Sequence, residues 1–197
     1  MTTLASSNPF LLSLFLVLAA EMGDKTQLVA LAFATRFPAQ TVLLGVFGAT
    51  LLVHLFSVGL GELVGITVPS LWINVLAGIA FIGFGLWTLR GDQLNETDRL
   101  TEPRFSPVLT VGTTFFLAEL GDKTMLMTVT LASQHHSFIA IWIGSSLGMV
   151  IADGVAIAVG RILGAQLPER LVKFGAAATF LATGVVTLIG AVTDKLG

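Results

Sequence analysis

The sequence predicts an all-α membrane protein: six transmembrane helices arranged as two inverted-topology three-helix repeats, residues 1–97 and 98–197, forming one transmembrane domain. Three observations carry this expectation. Of the 197 residues, 54% are hydrophobic and only 11% charged, with a mean hydropathy of +0.90, whereas a water-soluble domain carries about 25% charged residues. Six apolar runs follow one another, each near the ~20 residues that cross ~30 Å of hydrocarbon. The two halves also resemble each other in register.

The spans are expected at 10–34, 42–63, 71–89, 107–132, 138–160 and 171–191. Between them lie short stretches rich in breakers and polar residues: Phe37-Pro38, Pro69-Ser70, the segment from Gly91 to Pro107, Gln134-His135-His136 and Pro168-Glu169-Arg170. The first run lacks a basic flank and carries charges in its middle, so it reads as a span and not a cleaved signal. Arg36, Arg90, Arg99, Arg104, Arg161, Arg170 and Lys173 flank the first, third and fifth connections, against Lys195 alone on the other side. By the positive-inside rule the central loop is cytoplasmic and both termini lie outside. Trp72, Trp87 and Trp142 fall near span ends, where interfacial anchoring accounts for them.

The repeat extends through all three spans of each half. A shift of 98 residues aligns Ala20-Glu21 with Ala118-Glu119 and Leu28 with Leu126; a shift of 99 aligns Gly45 with Gly144, Gly61 with Gly160 and Gly65 with Gly164. Ala77 matches Ala176, Phe81 matches Phe180, Gly85 matches Gly184, and Thr88-Leu89 matches Thr187-Leu188. Three spans is an odd number, so the copies insert with opposite topology, an arrangement that puts a substrate site near the midplane. Gly61/Gly65, Gly144/Gly148 and Gly160/Gly164 stand four apart and read chiefly as packing positions.

The chemistry sits in a doubled hexapeptide, Glu21-Met22-Gly23-Asp24-Lys25-Thr26 and Glu119-Leu120-Gly121-Asp122-Lys123-Thr124, each in the middle of an apolar run. Charged groups at membrane depth are costly and mark functional sites by default. On a continuous helix Glu21, Asp24 and Lys25 share one face, as do Glu119, Asp122 and Lys123. Gly23 and Gly121 offer a place for a local break that frees carbonyl oxygens. Thr26, Thr124 and Gln27 add neutral oxygens one turn away. Two facing copies give four carboxylates and two ammonium groups, formally −2. One divalent cation neutralises that charge, and so do about two protons, since a dry, crowded site favours the neutral carboxyl. Competition between them is the physical basis of antiport. Asp24 with Lys25 and Asp122 with Lys123 can also be read as plain neutralising pairs, which leaves Glu21 and Glu119 as the strongest ligand candidates.

Oxygen-only coordination favours hard cations such as Mn²⁺, Ca²⁺ or Mg²⁺. Zero cysteines exclude disulfides, thiol catalysis and Cys-ligated metal, and no His is near the motif. Met22, Met125 and Met127 read as apolar filler. His54 in the second span and Asp153 in the fifth occupy matching places and are candidate proton relays or, equally, hydrogen-bonded structural residues. His135, His136 and Glu62 are expected near the outer surface, simply solvated.

Two copies of E-x-G-D-[KR]-[TS] in a six-span chain resemble the family of cation/proton exchangers that carry Mn²⁺ and Ca²⁺, whose members include Golgi, chloroplast, thylakoid and bacterial transporters. Both copies match at every fixed position, and the resemblance covers essentially the whole chain. It implies transport of Mn²⁺ or Ca²⁺ out of the cytosol in exchange for H⁺, with metal on Glu21, Asp24, Glu119 and Asp122. The short form is similar to the bacterial members, implying Mn²⁺ export across a bacterial inner membrane or an internal membrane such as a thylakoid. The expected partners are a divalent metal ion as transported substrate, protons and the bilayer. No resident cofactor and no nucleic acid are expected; homo-oligomerisation is left open. A cation carrier without proton coupling is the main rival. An intramembrane enzyme is disfavoured, because acid–base hydrolysis uses two differently tuned groups and not two identical sets. A scaffold would have no need of four buried carboxylates.

Overall fold

The computed structural model describes residues 8–90, 106–163 and 169–196. The central connection with Arg99 and Arg104, the segment holding Gly164 and Pro168, and the side chains of Arg161, Arg170, Lys173, Ala176 and Lys195 lie outside what is described. Eight helices appear among the described residues: α1 (Pro9–Glu21), α2 (Lys25–Arg36), α3 (Ala39–Thr67), α4 (Ser70–Arg90), α5 (Pro107–Glu119), α6 (Lys123–His135), α7 (Phe138–Leu163) and α8 (Glu169–Leu196). No strand occurs among them. The apolar runs expected as spans at 10–34 and 107–132 are each two helices, broken after Glu21 and after Glu119, at the place that Gly23 and Gly121 offered.

The starts and stops follow local chemistry. Asn8 caps α1, its side-chain oxygen accepting from the Phe10 and Leu11 N–H groups at 3.0 and 3.4 Å. Pro9 and Pro107 open α1 and α5 at the position where a missing N–H costs nothing. Ala39–Thr67, Ser70–Arg90 and Phe138–Gly160 are long and apolar enough to cross a membrane; Pro9–Glu21, Pro107–Glu119 and Ala177–Thr193 are shorter apolar helices. Large side chains such as Phe15, Leu44, Phe56, Leu63 and Ile66 point outward on several helices. An apolar exterior on this scale belongs against lipid, which makes the chain an integral membrane protein.

Glycines set the closest helix contacts. Gly144 and Gly148 of α7 lie against α1, and a Cβ on Gly148 would stand 2.6 Å from the Leu14 carbonyl oxygen. Gly61 and Gly65 of α3 lie in the same way against α6, and Gly78 of α4 against Gly184 of α8. The packing expected for the Gly61/Gly65 and Gly144/Gly148 pairs is therefore present; Gly160 faces the Leu31 side chain. The paired positions also give direction. Along α1 and α7, and along α3 and α6, residue numbers rise together; along α4 and α8 they run opposite, Gly78 meeting Leu188 and Gly85 meeting Leu181.

Two apolar clusters form the interior. One joins Leu16, Val17 and Ala20 of α1 with Val58, Phe81, Met127, Leu131, Met149 and Phe180. The other joins Val29, Ala30 and Phe33 of α2 with Val42, Val46, Val111, Phe115 and Ile157. Between them, α3 carries Thr50, His54 and Ser57 and α7 carries Ser145, Ser146 and Asp153, all buried. A polar belt thus lies halfway along the bundle, sealed on both sides by hydrocarbon.

Candidate cation site

The motif folds as a turn between two helices. Met22 has φ −62 and ψ 120, Gly23 has φ +77, and the Asp24 N–H donates to the Glu21 carbonyl at 3.0 Å. Leu120 (φ −65, ψ 113), Gly121 (φ +80) and the Asp122 N–H to Glu119 carbonyl bond at 3.2 Å repeat it. This is the pattern of a type II turn, whose third residue needs positive φ and so favours glycine. The expectation of one continuous helical face is corrected accordingly: Glu ends one helix and Asp begins the next. Asp24 and Asp122 are the N-caps of α2 and α6, where unpaired N–H groups and the helix dipole favour an anion.

Across each break the threonine reaches back to the glutamate. Thr26 Oγ1 donates to Glu21 Oε1, and Thr124 Oγ1 donates to Glu119 Oε2 at 2.6 Å. Glu21 and Glu119 are fully buried. Glu21 Oε2 and Glu119 Oε1 have no hydrogen-bond partner among the described residues. Gln27 supports the first break: the Gly23 N–H donates to Gln27 Oε1 at 2.7 Å while Gln27 Nε2 donates to the Ala152 carbonyl at 2.9 Å. In the second motif Met125 stands at the equivalent place, and the Gly121 N–H points at its sulfur at 3.2 Å. Met125 is therefore more than filler, while Met127 is core.

The two motifs meet. Lys123 Nζ lies 2.6 Å from Asp24 Oδ2, and Lys25 Nζ lies 3.8 Å from Asp122 Oδ1. The structure thus shows ion pairs crossing between motifs, a pairing that the sequence does not suggest. Glu21 is within electrostatic reach of Glu119, Asp24, Asp153 and Lys123, and Glu119 of Asp122, Asp24 and Asp153. All six motif charges thus share one buried neighbourhood, with Lys123 set among the carboxylates. Among the described residues, no three His, Asp or Glu side chains converge closely enough to hold a metal ion.

Asp153 and His54 differ in what they face. Asp153 is fully buried, within reach of Asp24, and neither carboxylate oxygen has a hydrogen-bond partner among the described residues. His54 is equally buried, but its Nδ1 meets Ser146 Oγ at 3.3 Å. The hydroxyl lining of the belt went unread in the sequence: Ser145 meets Thr128 at 3.3 Å, and Thr128 also donates to the Thr124 carbonyl. Trp142, expected as an interfacial anchor, donates its indole N–H to the Leu51 carbonyl of α3 at 2.8 Å. His135 is not simply solvated; it is half-buried and lines a cavity at the end of α6.

An apolar-surfaced helical bundle with a sealed belt of carboxylates and lysines at half depth is the build of a membrane transporter for cations. The comparison with known proteins narrows this: the chain belongs to the family described as divalent cation/proton antiporter GDT1, matched over residues 9–96 and 107–195. It is a transporter and not an enzyme. Among similar proteins, one of Vibrio cholerae named "Putative manganese exporter" is 28% identical over 178 residues, covering 89% of this chain and 88% of the relative. GDT1-like protein 3 of Oryza sativa subsp. indica is 29% identical over 198 residues, covering 88% and 71%. GDT1-like protein 3 of Arabidopsis thaliana is 28% identical over 199 residues, covering 88% and 68%. No solved structure matches the chain.

Proposed function

We propose that this antiporter exports Mn²⁺ from the cytosol in exchange for protons, binding the metal through Glu21, Asp24, Glu119 and Asp122. One observation carries the reading. Glu21 and Glu119 are wholly buried, and each keeps one oxygen bonded to its motif threonine and the other without a hydrogen-bond partner among the described residues. A buried carboxylate oxygen without a donor is costly. A cation removes that cost and so does a proton, at the same oxygen. The two ligands therefore exclude each other, which is what exchange requires. Lys123 acts as a tethered cation on Asp24, and metal loading moves it aside so that the carboxylates can close on the ion. Asp153, within reach of both motifs, and His54 are assigned to relaying protons.

The six-span inverted repeat is part of this proposal. Thirteen-residue α1 and α5 are about 20 Å long at ~1.5 Å per residue and cannot cross hydrocarbon alone. With α2 and α6 they make two broken spans. The helix directions support the topology: α1 runs with α7 and α3 with α6, while α4 opposes α8. With both termini outside, the two halves rock about the belt to give alternating access. The preference for Mn²⁺ over Ca²⁺ draws on the name carried by the Vibrio cholerae relative, since oxygen ligands alone accept both.

The test is transport by the purified chain in liposomes under an imposed pH gradient, comparing Mn²⁺, Ca²⁺ and Mg²⁺. A pH jump should drive Mn²⁺ uptake with no metal gradient; strictly electrogenic metal flux insensitive to pH would overturn the coupling. Glu21→Gln and Glu119→Gln should each cut Mn²⁺ transport by at least about tenfold with folding intact, the loss of one charged ligand. Transport at the normal rate in either variant would sink the site assignment.

A further inference from the structure

A cavity of about 130 Å³ opens where α6 ends, between α3, α4, α6 and α8, well away from the carboxylate belt. That is room for a cation with a few waters, at ~30 Å³ each. Its polar lining includes His135, His136, Gln134, Asn74, Ser133 and Thr187. Adjacent residues on a helix point ~100° apart and do not normally face one pocket. Here they do, because α6 stops at His135 and His136 turns into the left-handed region, φ 45 and ψ 40. A non-glycine residue held at positive φ is uncommon and is a pointer to function. Gly65 of α3 makes space for the second ring: a Cβ there would stand 2.5 Å from His136 Cε1. Gln134 donates to Asn74 Oδ1 at 3.3 Å, tying the histidine turn to α4.

We propose that this cavity is a second cation site, in which the paired imidazoles of His135 and His136 select a transition divalent ion such as Mn²⁺ over Ca²⁺ and Mg²⁺. The inference rests on the cation/proton exchange reading and deepens it: oxygen ligands take Mg²⁺, Ca²⁺ and Mn²⁺ alike, whereas imidazole nitrogen favours transition ions over Ca²⁺ and Mg²⁺. Leu131, which lines the cavity, lies on the same face of α6 as Thr128 and Thr124, three and seven residues earlier, and Thr124 donates to Glu119.

The experiment uses the full chain without a polyhistidine tag, titrated in detergent with Co²⁺, whose visible bands report nitrogen ligation. Wild type and Glu21→Gln/Glu119→Gln should both show nitrogen-bound Co²⁺, and His135→Gln/His136→Gln should bind it at least about tenfold more weakly. In liposomes the histidine variant should lower the Mn²⁺-over-Ca²⁺ transport ratio by about fivefold or more. Gly65→Ala, which keeps both imidazoles but crowds His136, should weaken Co²⁺ binding without removing a ligand. An unchanged Co²⁺ titration in the histidine variant overturns the site. Lost Co²⁺ binding with an unchanged Mn²⁺/Ca²⁺ ratio overturns its role in selection. Normal transport by the glutamate variants would instead overturn the carboxylate assignment and leave the cavity standing.

Discussion

At Gly121 the backbone alone sets what a substitution costs. Its φ is +80, and a Cβ there would meet nothing within 4 Å. Alanine must therefore adopt a left-handed conformation at roughly 1–2 kcal/mol with no compensating or opposing contact. Gly48 is the control: helical, equally unencumbered, and expected to gain up to ~1 kcal/mol from alanine. Thermal unfolding in detergent should place Gly121→Ala below wild type and Gly48→Ala level with it or above. Equal midpoints for the two would show that the turn does not depend on glycine. At this scale the sequence was legible where charge met apolar context, at Glu21, Asp24, Glu119 and Asp122. It was less so for Thr26 and Thr124, since a hydroxyl can donate or accept. The sequence offers both as supporting neutral oxygens, and both donate to their glutamates.

The helices carry a different lesson. Hydropathy over about 20 residues cannot resolve a three-residue interruption; the place of the break was legible instead in Gly23 and Gly121, which now stand in the two turns. The crossing of the lysines had no signal within one motif, because it depends on how two distant segments meet. It makes a quantitative prediction. Lys123 and Asp24 are 2.6 Å apart with side chains 4% and 1% exposed, whereas Lys25 and Asp122 are 3.8 Å apart with the lysine at 11%. Removing one partner of a buried pair costs about 3–5 kcal/mol, because the other charge is left behind. A double-mutant cycle with Lys123→Met and Asp24→Asn should thus return a coupling energy above about 1 kcal/mol, and larger than that of Lys25→Met with Asp122→Asn. Equal or negligible coupling would mean that the crossed pairs contribute nothing.

For the whole molecule, the central expectation is competition at shared oxygens. If two protons leave as one metal binds, the apparent Mn²⁺ affinity falls by up to about a hundredfold for each unit of pH lowered through the range where the carboxyls titrate. Titrating detergent-solubilised protein with Mn²⁺ between pH 6 and 8 gives a slope that counts those protons. A flat line would remove proton competition from the mechanism. Global features were partly readable: composition announced a membrane protein built of helices, while the repeat rests on the internal match of the two halves of the sequence and stays part of the proposal. What could not be read is how unequal the halves have become. Gln27 bridges the first break to α7, while Met125 offers only sulfur to the second. On α7, Asp153 adds a fifth carboxylate within reach of Glu21, Asp24 and Glu119, while His54 of α3 bonds to a serine.

The crossed pairs also bear on how the chain is made. Lys123, 2.6 Å from Asp24 in the finished protein, is synthesised about a hundred residues after it. During biogenesis the first half must therefore wait in or beside the insertion machinery with an incomplete polar centre, a costly condition in lipid. Final docking of the second half is then the expected committing step of assembly. Residues 1–97 expressed alone should be degraded, and co-expression with residues 98–197 should restore both fragments to the membrane, which immunoblotting of membrane fractions would reveal. Stable accumulation of the lone first half would show that each half matures independently.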